Sequence, residues 1–249
     1  MIDVTIHGSG RMAKAISSAA TSQDDLLITA TVGPEAPGWE SVSPHFFSLD
    51  ALPAVPALLI DFTLPAGTRT AAKWCAKNNV ALLSGVTGLP VDVMSALRTT
   101  AEKVPVLWSP NLSLGVNLQA ELAKRAAAIL DPEIRVEIED IHHQWKKDAP
   151  SGTALMLGKT ITAQRGGTGA EIEYSSIREG ENIGEHKITF LMAGEEFELV
   201  HRAFDRSIYA LGALGAGKWL LEQPAGLYSS SDWIASFNES EVDPSVPGG

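Results

Sequence analysis

The sequence predicts an α/β fold: a doubly wound parallel sheet with an inserted α+β domain whose sheet is mostly antiparallel. Three observations predict it. Short apolar runs at 4–6, 26–32, 57–61, 80–84 and 104–108 alternate with helical stretches, the pattern of strands buried on both faces by crossover helices. A glycine turn, Gly8-Ser9-Gly10, joins the first run to the first helix. After Asn111 the texture changes, and Ile134, Val136 and Ile138 alternate with Arg135, Glu137 and Glu139, the period of a strand with one wet face.

The elements follow in order. Strand 4–6 enters the glycine turn, and helix 11–20 leaves it with Met12, Ala15, Ile16 and Ala19 spaced on one face. Strand 26–32 is followed by 33–52, a Pro- and Gly-rich stretch that is the least regular part of this half. Next come strand 57–61, helix 67–78, strand 80–84, helix 91–103 and strand 104–108. An alanine-rich helix over 116–130 is stopped by Asp131-Pro132. Beyond the alternating strand and a polar segment, the pattern gives helix 153–163, strands 171–176, 187–192 and 196–201, expected to be antiparallel, and helix 207–221. The tail after Asn238 is acidic with Pro and Gly, and is expected to fray.

Composition narrows the function. The 249 residues carry 19 Lys plus Arg against 30 Asp plus Glu, a net charge of −11. A general nucleic-acid binder needs a basic surface to displace counterions, and six scattered Trp form no stacking stripe. One cysteine excludes an intrachain disulfide framework and a Cys-based zinc cluster. Cys75, on a helix with no partner histidine nearby, reads as a buried structural thiol. No apolar run approaches the ~20 residues that span a bilayer, and the N-terminus lacks the pattern of a signal peptide. A soluble cytoplasmic protein is expected, with no nucleic acid and no membrane as partner.

Ile6-His7-Gly8-Ser9-Gly10-Arg11-Met12-Ala13 fits Gly-x-Gly-x-x-Ala between a strand and a helix. Glycines let the backbone approach a pyrophosphate, which then faces the free N–H groups of the helix start. A tight turn that binds nothing has the same sequence. The acid that would grip an adenosine ribose belongs at the end of the second strand. That strand ends Thr31-Val32-Gly33-Pro34, with no acid before Glu35 and no arginine for a 2′-phosphate. Arg11 is the nearest candidate cation, and use of both NADH and NADPH is expected.

The richest segment runs from Glu139 to Ala154. His142 and His143 can carry protons near neutral pH, Lys146 and Lys147 can meet a carboxylate, and the helix start at Ser151-Gly152-Thr153 can take a second one. Together these suit a small dicarboxylate that must gain a proton. A solvated loop followed by a helix cap is the alternative. No metal site is expected, because adjacent histidines in extended chain point to opposite faces and no His-x-x-x-His is present.

These residues resemble the signature of the 4-hydroxy-tetrahydrodipicolinate reductase (dihydrodipicolinate reductase) family, Glu-x-His-His-x-x-Lys-x-Asp-Ala-Pro-Ser-Gly-Thr. Here it reads Asp140-Ile141-His142-His143-Gln144-Trp145-Lys146-Lys147-Asp148-Ala149-Pro150-Ser151-Gly152-Thr153, with Asp for the leading Glu. Further pieces occur in order: Gly10-Arg11-Met12, Ile60-Asp61-Phe62-Thr63, Ser84-Gly85-Val86-Thr87-Gly88, Asn111-Leu112-Ser113-Leu114-Gly115-Val116-Asn117, Ser176-Ile177-Arg178-Glu179-Gly180, Ile183-Gly184-Glu185-His186 and His201-Arg202-Ala203. The resemblance covers nearly the whole chain.

The resemblance implies a Rossmann-like dinucleotide-binding domain, 1–113 completed by 207–249, and a substrate-binding and oligomerisation domain, 114–206. It implies reduction of 4-hydroxy-tetrahydrodipicolinate to tetrahydrodipicolinate with NADH or NADPH, in the diaminopimelate route to lysine, by a homotetramer. His142 takes the role of proton donor and acceptor, and Lys146 that of proton donor. His143, Ser151, Gly152 and Thr153 would contact substrate. Cofactor contacts would come from Gly8, Ser9, Gly10, Arg11 and Met12, from Phe62, from Gly85, Val86 and Thr87, and from Ser109, Pro110, Asn111 and Leu112. Outside the site, His186 and His201 are expected in satisfied structural roles. Three departures stand out: a glycine loop one residue short, Val86 at a position often Thr, and Leu211 where the family has Asn. Two other readings remain: a nicotinamide-dependent reductase of another cyclic imine acid, and a non-catalytic nucleotide sensor.

Overall fold

The computed structural model describes residues 1–239. They form two compact units: Met1–Ser113 together with the chain from Ser207 onward, and Leu114–Arg206.

The first unit is built on a seven-stranded sheet in the order β11-β6-β5-β4-β1-β2-β3, every neighbouring pair parallel. Its strands are β1 (Ile2–His7), β2 (Leu26–Val32), β3 (His45–Phe46), β4 (Leu58–Asp61), β5 (Ala81–Ser84), β6 (Pro105–Trp108) and β11 (Gly226–Tyr228). The central strands are mostly apolar because alternate residues feed two cores, with polar residues such as Asp61 and Ser84 at their carboxyl ends. Leu58, Ile60, Leu83 and Leu107 pack with Ala13 and Ile16 of α1 (Arg11–Ala20) and Ala213 and Leu214 of α6 (Ser207–Leu220). Leu59, Leu82 and Val106 pack the other way, against Ala72 and Cys75 of α2 (Pro65–Asn78) and Leu97 of α3 (Val91–Ala101). Cys75 is fully buried. The order reverses at β1, which lies between β4 and β2. In an open parallel sheet this switch point opens the crevice that takes ligands.

The second unit carries a four-stranded sheet, β10-β9-β7-β8. Its strands are β7 (Arg135–His142), β8 (Ile172–Arg178), β9 (Gly184–Met192) and β10 (Glu195–Ala203). One face packs Val136, Ile138, Ile188 and Phe190 against Ala123 and Ala127 of α4 (Leu114–Ile129) and Ala154, Leu157 and Ile161 of α5 (Gly152–Gln164).

The sheet is mixed, which corrects the antiparallel expectation for β8. β9 is antiparallel to both β7 and β10, but β8 runs parallel to β7, with Val136 opposite Ile172. Helix α5 is the reason: a strand that returns through a crossover helix comes back in the same direction. Strand β7 also extends beyond the alternating stretch to His142, keeping its period of two. Four elements lay below the sequence signal: β3, a short 3-10 helix at Leu49–Ala51, β11 and α7 (Ser230–Glu239). The tail expected to fray after Asn238 lies outside the described residues except for Glu239, the last residue of α7.

Candidate active site

In the second unit, the alternation of β7 turns Asp140 and His142 to the same buried face. The Asp140 carboxylate is fully buried and has four partners. Oδ1 lies 2.9 Å from Nδ1 of His142 and 2.8 Å from an Arg178 guanidinium nitrogen. Oδ2 accepts from the Ser176 hydroxyl at 2.7 Å and the Ser151 backbone N–H at 3.2 Å. Burial by itself raises the proton affinity of this carboxyl; Ser176, Ser151 and Arg178 outweigh it and hold Asp140 below the usual carboxylate range. An ionised carboxylate only accepts, so His142 donates through Nδ1–H and Nε2 carries the lone pair. Nε2 faces Gly184, where a Cβ would sit 3.1 Å away. Burial, and next the Lys146 ammonium, push the proton affinity of His142 down, with Asp140 pulling the other way.

A turn closed by Lys146 N–H donating to the His143 carbonyl (3.1 Å) brings Lys146 back toward the strand end. Its ammonium contacts both oxygens of Asp148 at 2.9 Å. The Asp148 side chain is 58% exposed, so this pair is worth no more than about 1 kcal/mol and a ligand carboxylate can replace it. Lys147 is exposed. His143 lies beyond the strand, its ring 5.7 Å from that of Trp145 and its Nδ1 buried without a partner.

Ser151 caps α5: its hydroxyl accepts from Ala154 N–H at 3.1 Å and lies 3.2 Å from Nε2 of His186. Gly152 opens the helix, is exposed, and a Cβ there would meet nothing within 4 Å. With no acid in the first turn of α5, this start faces open space with the positive end of the helix dipole, a place for an anion. Thr153 is half-buried in that same turn.

The sequence reading missed four contributors to this cluster: Asp140 as a partner, Ser176, Arg178 and His186. The spacing Asp140-x-His142 on a strand was the available signal for the first. His186 fills the satisfied structural role expected of it on one side only, through Nε2 and the Ser151 hydroxyl. Its ring lies 5.1 Å from that of His142, Nδ1 is buried without a partner, and burial with the nearby His142 pushes its pKa down to about 3. His201, opposite it on β10, also has an unpartnered buried Nδ1.

In the first unit, the residues expected at a cofactor stand at the carboxyl ends of four adjacent strands. Gly8, Ser9, Gly10, Arg11 and Met12 follow β1, Phe62 follows β4, Gly85, Val86 and Thr87 follow β5, and Ser109, Pro110, Asn111 and Leu112 follow β6. Buried Asp61 ties three of these ends together. It accepts from Thr63 Oγ1 (2.6 Å), Thr68 Oγ1 (2.7 Å) and Ser84 Oγ (2.9 Å), and lies 3.1 Å from Nδ1 of His7. Gly8 holds φ +127, and a Cβ on it would crowd the Phe62 carbonyl at 3.1 Å. A Cβ on Gly85 would run into the Phe62 ring. The Trp39 indole donates to the Ser9 carbonyl at 3.0 Å, bracing the turn. Leu112 and Val86 have buried side chains, so only their backbones can face a ligand.

These residues fit a dinucleotide. Gly10 stands at the N-cap of α1 without a side-chain cap, the first turn holds no acid, and a Cβ at Gly10 would meet nothing within 4 Å. The helix start is therefore open to a pyrophosphate.

Comparison with known proteins agrees along the chain. Residues 2–112 match the family model described as dihydrodipicolinate reductase, N-terminus, and residues 115–234 the model described as dihydrodipicolinate reductase, C-terminus. A protein of Xanthomonas euvesicatoria pv. vesicatoria named 4-hydroxy-tetrahydrodipicolinate reductase is 42% identical over 237 residues, 94% of this chain and 98% of that protein. One of the same name from Stenotrophomonas maltophilia is 43% identical over 234 residues, 92% and 96% of the two chains. A solved dihydrodipicolinate reductase from Paenisporosarcina sp. TG-14, bound to dipicolinate, superposes with a TM-score of 0.82 at 25% identity, covering 92% of this chain and 97% of its own.

Proposed function

The chain belongs to the dihydrodipicolinate reductase family, and we propose that it reduces 4-hydroxy-tetrahydrodipicolinate to tetrahydrodipicolinate with NADH or NADPH, in the diaminopimelate route to lysine. The observation that carries the reading is the buried Asp140–His142 pair beside Lys146 and the open start of α5. A ring dicarboxylate needs two anion sites and a proton, and these residues supply both.

A reduced nicotinamide supplies a hydride when bound, and the strand-end residues of the first unit would hold it through backbone N–H groups and the α1 dipole. Gly152 and Thr153 would bind one substrate carboxylate at the start of α5. Lys146 would leave Asp148 for the other, and His143 would contact the ring. The 4-hydroxyl leaves as water, giving the conjugated ring imine dihydrodipicolinate; once C4 of that imine has accepted the hydride, negative charge develops on the ring. His142 and Lys146 deliver the proton that neutralises it, and Asp140 stabilises the imidazolium whenever His142 holds that proton. The carboxylates of a bound substrate offset the Lys146 charge that lowers His142, which favours the protonated ring when substrate is present.

Enzymatically generated 4-hydroxy-tetrahydrodipicolinate, added with NADH or NADPH, tests the activity by loss of nicotinamide absorbance. A reductase of another cyclic imine acid would leave this substrate untouched, and a sensor would bind cofactor without turnover.

The assembly and its setting belong to the same proposal. The homotetramer of the family would use the sheet face of the second unit that α4 and α5 do not cover, where Glu137, Glu139 and Ile141 point. Light scattering of the purified chain tests it. A single, buried cysteine fits a reducing cytoplasm.

A further inference from the structure

The end of β2 is where this kind of sheet reads the adenosine ribose, and here Val32-Gly33-Pro34 brings no charge to it. A cavity of about 540 Å³ opens at that strand end. It adjoins the glycine turn, since a Cβ on Gly33 would sit 3.4 Å from Ser9 Oγ. Its charged lining comes from elsewhere in the unit: Lys73 and Lys77 of α2, and Asp50. The two lysines are four residues apart, so they share one helix face. Both are exposed, and neither has an ion-pair partner among the described residues.

We propose that Lys73 and Lys77 form a 2′-phosphate subsite in this cavity, so that recognition of a phosphorylated adenosine comes from α2 rather than from the loop after β2. The proposal rests on the reading that the first unit binds a nicotinamide dinucleotide. Two ammonium groups against one carboxylate leave the cavity a net cation for a phosphate dianion. Lysine serves as a point charge on a flexible stem, without the bidentate grip of arginine, and exposed charges are screened by salt. The resulting preference for the phosphorylated cofactor is modest and falls as ionic strength rises, which leaves NADH usable.

Calorimetric titration of adenosine 2′,5′-bisphosphate and of 5′-AMP tests this without turnover. At low salt the bisphosphate should bind about fivefold more tightly than AMP, the scale of one or two exposed charge pairs. The double variant Lys73→Gln/Lys77→Gln should close that gap while AMP affinity stays the same, and Asp50→Asn should widen it. A bisphosphate no tighter than AMP, or a gap that survives in the double variant, overturns the subsite. NADH titrated alongside separates the two levels. If NADH binds while the lysines prove irrelevant, only the subsite fails. If NADH does not bind, the cofactor reading fails and the subsite fails with it.

Discussion

Nδ1 of His142 lies 2.9 Å from Oδ1 of Asp140, two residues back on the same buried face of β7. The carboxylate is kept ionised by Ser176, the Ser151 N–H and Arg178. It therefore fixes the tautomer with the proton on Nδ1 and leaves the Nε2 lone pair, on the side of Gly184, as the atom that takes up and delivers a proton. Asp140 acts through His142 and is a positioning residue.

Replacing Asp140 with Asn keeps the shape and removes the charge. Turnover should fall by ~10²-fold or more, since a carboxylate that fixes the tautomer of a proton-transferring histidine can be worth up to ~10⁴, with cofactor affinity unchanged. The pH dependence of kcat should shift with it, because the imidazolium loses its counter-charge. A variant that merely melts earlier, with its kcat profile in place, would make Asp140 structural only.

His142→Gln and Lys146→Met should each lower turnover by ~10²-fold or more, since general acid help is typically worth 10²–10⁴. NADH binding, followed by fluorescence, should persist in both. Lys147→Ala should be mild, because Lys147 is exposed. Equal losses at Lys146 and Lys147 would contradict the assignment.

The helix start separates two roles that adjacent residues share. Thr153→Val should raise the substrate KM, removing a hydroxyl beside the anion site. Ser151→Ala should instead cost stability, about 1 kcal/mol for a lost cap, because its hydroxyl is already committed to Ala154 N–H and faces His186. Chemical denaturation and KM measured on both variants distinguish them.

The central parallel strands β1, β2, β4, β5 and β6 were legible because each is largely buried and mostly apolar. The glycine turn and the His142-to-Thr153 segment were legible because they are contiguous in sequence. What escaped depends on contacts between distant segments. Ser176 and Arg178 reach Asp140 only because β8 lies parallel to β7, and the alternating patterns of 171–176 and 187–192 do not reveal strand direction. Lys73 and Lys77 look like an ordinary solvated helix face until the packing of α2 sets them beside the end of β2. Strands of two or three residues, β3 and β11, offer no period to read.

Acid should destabilise the chain in a window set by histidines. Burial lowers the proton affinity of His142, His186 and His201, the second from 6.5 to about 3. The unfolded chain binds these protons near pH 6.5 and the folded chain does not. Stability is therefore full above that pH and is lost as pH falls toward the folded values. Asp61 and Asp140, held below 3.8, add their loss only at lower pH. Between pH 6.5 and 4.5, His186 should account for on the order of 2 kcal/mol, and urea unfolding of His186→Gln should show a correspondingly flatter slope. An unchanged slope would assign the acid sensitivity to other groups.

The most direct measurement is the rate of NADH and NADPH oxidation on enzymatically generated 4-hydroxy-tetrahydrodipicolinate, wild type beside His142→Gln. The account predicts turnover by the wild type with both cofactors, and a loss of at least ~10²-fold in the variant while it still binds NADH. A wild-type chain that binds NADH but leaves this substrate unreduced, or a variant that turns over at the wild-type rate, would contradict it.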